Sequence, residues 1–500
     1  MIIALFMMLA LSVIGATLMT VAQTETDSSF NYRLMSQARY GGEAAIHQST
    51  NYLLNAYVPP TEADLDPAAG IYDLTKSPVT LFANNQPVVL SSVAANSNYP
   101  DAAVKDAFAA ASKGTLNMKD ASVAFTTVAT LRSMRSITDA YSKQPTTIQT
   151  WEISGDGSVT GAKSALVEVA SVVERQPVPI YGYAAFATAE GCSALSLKGG
   201  ATTDSYDSSH ALNGATGKPF TDNTWGNVGT NGNLTEVGST TTVHGSLSTP
   251  RQGTGSCSAN NVSALTLNGG ATVDNGLNKL PQQIKYPTPE DINPTPPLTD
   301  QKIQKTDACV GSSLPYCTAT PDPANASWEI GHIVPPSAST EVYLGNVTIN
   351  AGAELHLSAG IYDLNSFTMM AGSKIVIDSG PVILNVAGLD SDGSPLANPI
   401  TITGQGIVNT SFVSTDLQIV YGGTGEVKLA GGDQTAAVVY APNATSNITG
   451  GADLYGAIIV HELTEAGGAS IHYDRHLKTI MFVPGDYTMS AFTWKVANTN

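Results

Sequence analysis

Residues 450–477 read GGADLYGAIIVHELTEAGGASIHYDRHL. They crowd together three histidines (His461, His472, His476) and four acidic residues (Asp453, Glu462, Glu465, Asp474), and two glycine pairs punctuate the stretch. Imidazole and carboxylate together can hold a metal ion or relay a proton. The spacing argues against either use. His472 and His476 are four apart, which aligns side chains on a helix but not on a strand. There is no HExxH and no acidic ligand at a helical offset. Asp474, between the two histidines, reads as a corner or a cap. The expectation is structural: no metal site and no cofactor.

Two further acidic pairs invite the same question. Asp390 and Asp392 lie in GLDSDGSP beside Gly393 and Pro395, as a solvated turn would. The SDG fragment lacks the bidentate Glu and the remaining ligands of a calcium loop. Asp204 and Asp207 in TTDSYDSS read as a turn for the same reason. No GxSxG, phosphate-cradling loop or Cys–His nucleophile pattern appears. No catalytic residue is therefore expected. Carboxylates that meet only in the fold, as in β-helical polysaccharide lyases and hydrolases, stay open as an alternative.

The elements that must position these residues are short and β-rich. Charged residues are 13% of the 500, glycines number 46, and the net charge is −18. An acidic surface disfavours phosphate backbones, so nucleic acid is not an expected partner. SALSLKGGATTD (193–204) recurs as SALTLNGGATVD (263–274), 70 residues on, a distance expected to span three or four coils. VTINAGAELHLSAGIYDL (347–364) aligns with FTMMAGSKIVIDSGPVIL (367–384) at an offset of 20 over eighteen positions. The pairs Gly431–Gly432, Gly450–Gly451 and Gly467–Gly468 follow at 19 and 17. Short strands with glycine corners at a period near twenty are the pattern of a β-solenoid, whose coils share one core.

Four cysteines, none in CxxC, allow three disulfide connectivities. In a chain that looks exported we expect Cys309–Cys317 across CVGSSLPYC, leaving Cys192 with Cys257. Upstream, DAAVKDAFAAASKG (101–114) reads as a helix, and 123–143 as more helix. TWEISGDGSVTG reads as a hairpin turning at Gly155–Gly157.

At the N-terminus no charge precedes Glu25, and twenty-odd apolar residues suffice to cross a ~30 Å hydrocarbon core. Without a basic n-region this reads as an anchor that stays on the protein. Apolar residues continue at helical spacing (Phe30, Leu34, Ala38, Ala45, Leu53, Tyr57) until Pro59 and Pro60, so one helix over 1–57 is expected, with only Gly41 and Gly42 against it. LALSVIG (9–15) and GEAAI (42–46) resemble the N-terminus of type IV pilin-like proteins, especially PilX-type pilus assembly proteins. In that family the apolar helix sits in the inner membrane and later packs in a filament core. The resemblance implies a filament-core role for Ile3, Leu5, Phe6, Leu9, Leu11, Ile14, Gly15, Leu18 and Glu43. Two features depart from the family: no leader peptide precedes Met1, which places Met1 near the processed end, and there is no early Glu. Gly450–Ile458, Gly467–Asp474 and TTDSYDSS also resemble a C-terminal domain found attached to PilX-type N-termini.

The expected class is α+β: a long pilin-like helix (1–57), a small pilin-like α/β head (58–187) and a right-handed β-helix. The β-helix would form two blocks (188–286 and 341–500) around a proline-rich linker (287–340) with a disulfide loop. The resemblance implies a non-enzymatic subunit of a type IV pilus or related filament. Its partners would be other pilin subunits, and it would move from the inner membrane to the cell surface. An anchored adhesin that binds glycan or surfaces, and a tethered carbohydrate-active enzyme, are the alternatives.

Overall fold

A computed structural model of the chain describes residues 2–118, 121–138, 141, 145–160, 163–309, 311, 313–403, 406–430, 432, 434–479 and 481–496. It comprises a long N-terminal helix followed by largely β structure. Two compact units divide the chain. The first holds residues 1–139, 144–178 and 483–500; the second holds 140–143 and 179–482.

In the first unit one helix runs unbroken over Ile2–Asn55, about 80 Å at ~1.5 Å per residue. Its second half buries Leu34, Ala38, Gly41, Gly42, Ala45, Ile46, Ser49, Tyr52 and Leu53. These fall three and four apart, so they form one stripe. The stripe lies on a six-stranded sheet in which Ala121–Thr138, Pro145–Val159 and Ala165–Pro179 follow one another, each antiparallel to the next. A second helix, Ala102–Ala111, is capped by the Asp101 carboxylate, which accepts from the N–H groups of Ala103 and Val104. At the end of the stripe, Trp151 donates to Gln149, and Gln149 donates to the hydroxyl of Tyr57. Tyr57 also bonds Tyr99, 2.9 Å away.

Three expectations are corrected here. Residues 121–138 form a strand, not a helix: Val123, Phe125, Thr127, Ala129 and Leu131 are buried while Ser122, Ala124, Thr126 and Val128 are exposed, which is a period of two. Gly155 and Gly157 do not turn a hairpin but lie within Pro145–Val159. A Cβ on Gly157 would stand 1.9 Å from the Ala38 carbonyl oxygen, and one on Gly155 2.6 Å from that of Gly42. A Cβ on Gly41 or Gly42 would strike Val123 or Val169 at 2.6 Å. Four glycines thus let helix and strand backbones touch. Thirdly, Phe482–Val496 pairs into this sheet, so the end of the chain belongs to the first unit and not to the 341–500 block.

The second unit stacks parallel strands. Asn346–Ile349 pairs with Ser366–Met369, and Glu354–Leu357 with Lys374–Ile377, both at an offset of 20. After residue 377 the offset becomes 22, with Ile361 opposite Ile383. Two extra corner residues preserve the alternation of inward and outward side chains, which one would reverse. Between 427–449 and 446–474 the offsets are 19 and 17, with Gly450, Gly451, Gly467 and Gly468 at φ near +70° in the corners. Gly431 lies outside the described residues.

The 70-residue repeat spans two rungs, not three or four, because Leu195 pairs with Leu234 and Leu234 with Leu265. Nor are there two separate blocks. Ala185, Leu195 and Asp204 pair in parallel with Ile458, Leu463 and His472, so the first strands of this unit lie on its last ones in a single ladder. The 287–340 segment is only partly a linker. Asp300–Ile303 pairs with Asn346–Ile349, and the hairpin Cys317–Asp322/Asn325–Ile333 opens a separate five-stranded sheet.

The proline-rich residues 281–299 return the chain from one end of the ladder to the other. Ile284 exchanges hydrogen bonds with the Asn231 side chain, Pro287 accepts from Tyr440, and the side chain of Asn346 donates to Leu298. Cys192–Cys257 and Cys309–Cys317 are disulfide-bonded.

Candidate assembly helix and side-chain sites

The first half of the long helix has no cover. Ile3, Leu5, Phe6, Leu9, Leu11, Ile14 and Leu18 are 55–77% exposed. A Cβ on Gly15 would meet nothing within 4 Å. This stretch is long and apolar enough to cross a membrane, by length and composition, and none of it is buried. The hydroxyls of Ser12, Thr17, Thr20, Thr24 and Thr26 bond carbonyls three or four residues back. Their polar atoms are thereby satisfied inside the helix, as an apolar surrounding requires. Glu43 lies beyond this region, half-buried, and accepts from Arg39 one turn earlier at 2.8 Å.

The three C-terminal histidines do not converge. His461 contacts the Thr188 hydroxyl, and His476 lies in a 3₁₀ turn beside Thr479. His472 pairs with Asp204 at 2.5 Å and stacks on Tyr455. Burial disfavours its charge, but the hydrogen bonds and charges of Asp204 and Asp453 outweigh that and raise its pKa to about 9. Asp204 is thus a strand residue and an ion-pair partner, not a turn. Asp474 accepts from the N–H groups of Ser208 and His476 and from the Ser414 hydroxyl, so it caps the turn. Asp392 accepts from Ser394 within its loop.

Sequence reasoning missed three other sites. Glu236 and Glu465 both lie opposite Leu197, facing inward, with no side-chain hydrogen-bond partner. Burial, then the Asp274 charge, pushes Glu236 up to about 8. Burial, then Glu236, Asp204 and Asp453, raises Glu465 well above the carboxylate range. Secondly, a cleft of roughly 400 Å³ lies beneath the returning segment, with Glu290, Asp291, Glu341 and Asp363 beside Tyr141 and Gln418. Thirdly, on the outer face of the five-stranded sheet, His332 lies directly opposite His356. Asp378 stands beside both, its oxygens 3.7 Å and 2.7 Å from their Nδ1 atoms. No spacing rule would have found this group, since only the register of stacked strands brings it together.

Residues 318–480 match the model of a family described as a domain of unknown function, DUF7305. No curated protein matches the chain. Among solved structures the chain is similar to the competence-associated pilin ComZ from Thermus thermophilus, at 12% identity and a TM-score of 0.25. That match covers 77% of this chain and 88% of that one, too slight a likeness to establish a shared fold.

Proposed function

We propose that this chain is a structural subunit of a bacterial type IV pilus or pilus-like filament, without enzymatic activity. Its helix packs among like helices in a filament core, and the second unit, read as a right-handed β-solenoid, is displayed at the surface. One observation carries the reading: a single helix is seated on its own sheet from Leu34 onward and bare before Phe30. Each large apolar side chain left in water forgoes ~1.5–3 kcal/mol, so the bare half needs lipid or neighbouring helices. Lipid in the inner membrane serves before assembly. In the filament, Ala10, Gly15 and Ala16 allow close helix contact. The disulfides fit an exported protein.

The test is electron cryo-microscopy of filaments sheared from cells that make the protein, together with a Leu11→Lys variant. The expected result is wild-type subunits around a core of residues 1–57, and a variant that folds its head but is missing from the filaments. Unchanged incorporation of the variant sinks the proposal. The acidic cleft favours a second reading, a pilus- or membrane-anchored adhesin. Its carboxylates and amides would hydrogen-bond the hydroxyls of a glycan. Binding to a glycan array that survives Asp363→Ala and Glu341→Ala would count against that site.

A further inference from the structure

We propose that His332, His356 and Asp378 form a binding site for a divalent first-row transition-metal ion of the zinc class. His332 and His356 face each other across parallel strands with ring centres 4.5 Å apart. Asp378 follows the next strand, Lys374–Ile377, and its carboxylate lies between the two Nδ1 atoms. One ligand atom from each of the three residues lies within 4.8 Å of the others. Small side-chain movements would bring all three to the ~2.0–2.2 Å that zinc takes with imidazole and carboxylate.

The surroundings are built for ligation through Nδ1. His356 Nε2 is 2.9 Å from Glu354 Oε1, and His332 Nε2 is 3.0 Å from the Thr320 hydroxyl. Glu354 is in turn held by Lys374 at 2.9 Å. An Nε2–H donated to an oxygen leaves Nδ1 as the free lone pair and fixes the ring. Two imidazoles and one carboxylate suit zinc, copper, iron or nickel and not the oxygen-only sets of calcium or magnesium. His332 and His356 are half-buried and Asp378 is exposed, so a fourth position opens to solvent or to another molecule. The residues lie 24 and 22 apart in the chain, too far to read as a motif.

The test uses the full chain in detergent, stripped with chelator and titrated with Zn²⁺ by calorimetry and with Co²⁺ by visible absorption. We expect one ion per chain and the visible bands of a four- or five-coordinate cobalt. His332→Ala and Asp378→Asn each lower Zn²⁺ affinity at least ~10-fold, and Glu354→Gln, which leaves all three ligands in place, lowers it about 10-fold through ring orientation. Melting curves confirm that each variant is folded. No retained ion, or the same affinity in a folded His332→Ala/His356→Ala variant, overturns the site.

Discussion

Glu236 and Glu465 sit where the ladder presents leucine at neighbouring rungs, opposite Leu197 and, for Glu236, Leu267. A buried carboxyl without a partner keeps its proton. The folded protein therefore binds more protons than the unfolded one between pH 4.5, the ordinary glutamate value, and about 8, where Glu236 titrates. Stability falls with rising pH across that window. His472 adds to the fall in its own window: its stabilisation is complete below pH 6.5 and is lost through about 9. We expect thermal melting of the wild type to drop from pH 5 to pH 9. Glu236→Met should flatten the lower part of that profile and raise the melting temperature at pH 8 by about 2–4 °C for each kcal/mol recovered. A lower melting temperature at pH 8 would refute a destabilising, unpaired carboxyl at this position. The sequence displayed Glu465 beside the histidines, but not its direction, because inward and outward positions differ by one residue of register.

The contact between the long helix and Pro145–Val159 depends on glycines that sequence rules treat as breaks. Two glycines cost a helix ~1 kcal/mol each relative to alanine, and they stand here because any side chain would separate the packed backbones. Gly157→Val places carbon atoms against the Ala38 carbonyl and the Gly42 N–H. It is expected to destabilise the head by about 3 kcal/mol, read from denaturant melting of the full chain in detergent. Val58→Ala, an exposed change, is expected to be neutral. A neutral Gly157→Val would refute the close approach. The helix itself was legible from its apolar period and its proline stop. The strand 121–138 was not, because Ala, Thr and Ser fill its outer face and mask the alternation.

At the scale of the second unit, the chain enters its ladder in the middle. The rung 185–206 lies between 453–474 on one side and 228–243 on the other. From the rung of Asn231 to that of Glu341 there are seven strand spacings. At ~4.8 Å each this is about 34 Å. The fourteen steps from Ile284, bonded to Asn231, to Leu298, bonded to Asn346 of the same rung as Glu341, reach up to about 46 Å when extended at ~3.3 Å each. The proline-rich segment is thus long enough to run back along the ladder, and its prolines favour the extended form that does so. Thr202 and Ser470 are opposed residues with hydroxyls 2.9 Å apart. Thr202→Cys/Ser470→Cys should oxidise to a cross-link, seen as a mobility shift on non-reducing electrophoresis. Two separate blocks would give none.

The sequence by itself determined the features that depend on near neighbours. These are the unbroken helix, its apolar first half, the glycine corners and the 20-residue rung, since propensity, hydropathy and left-handed φ are local properties. Only the tertiary structure decided the rest. The last strand left its neighbours for the head, the first rung stacked on the final one, and four glycines became a contact surface. Two histidines and an aspartate from successive rungs became one cluster. Each of these depends on which distant strands pair and in what register, and that is settled by burying one shared core, which no short stretch of the chain encodes alone.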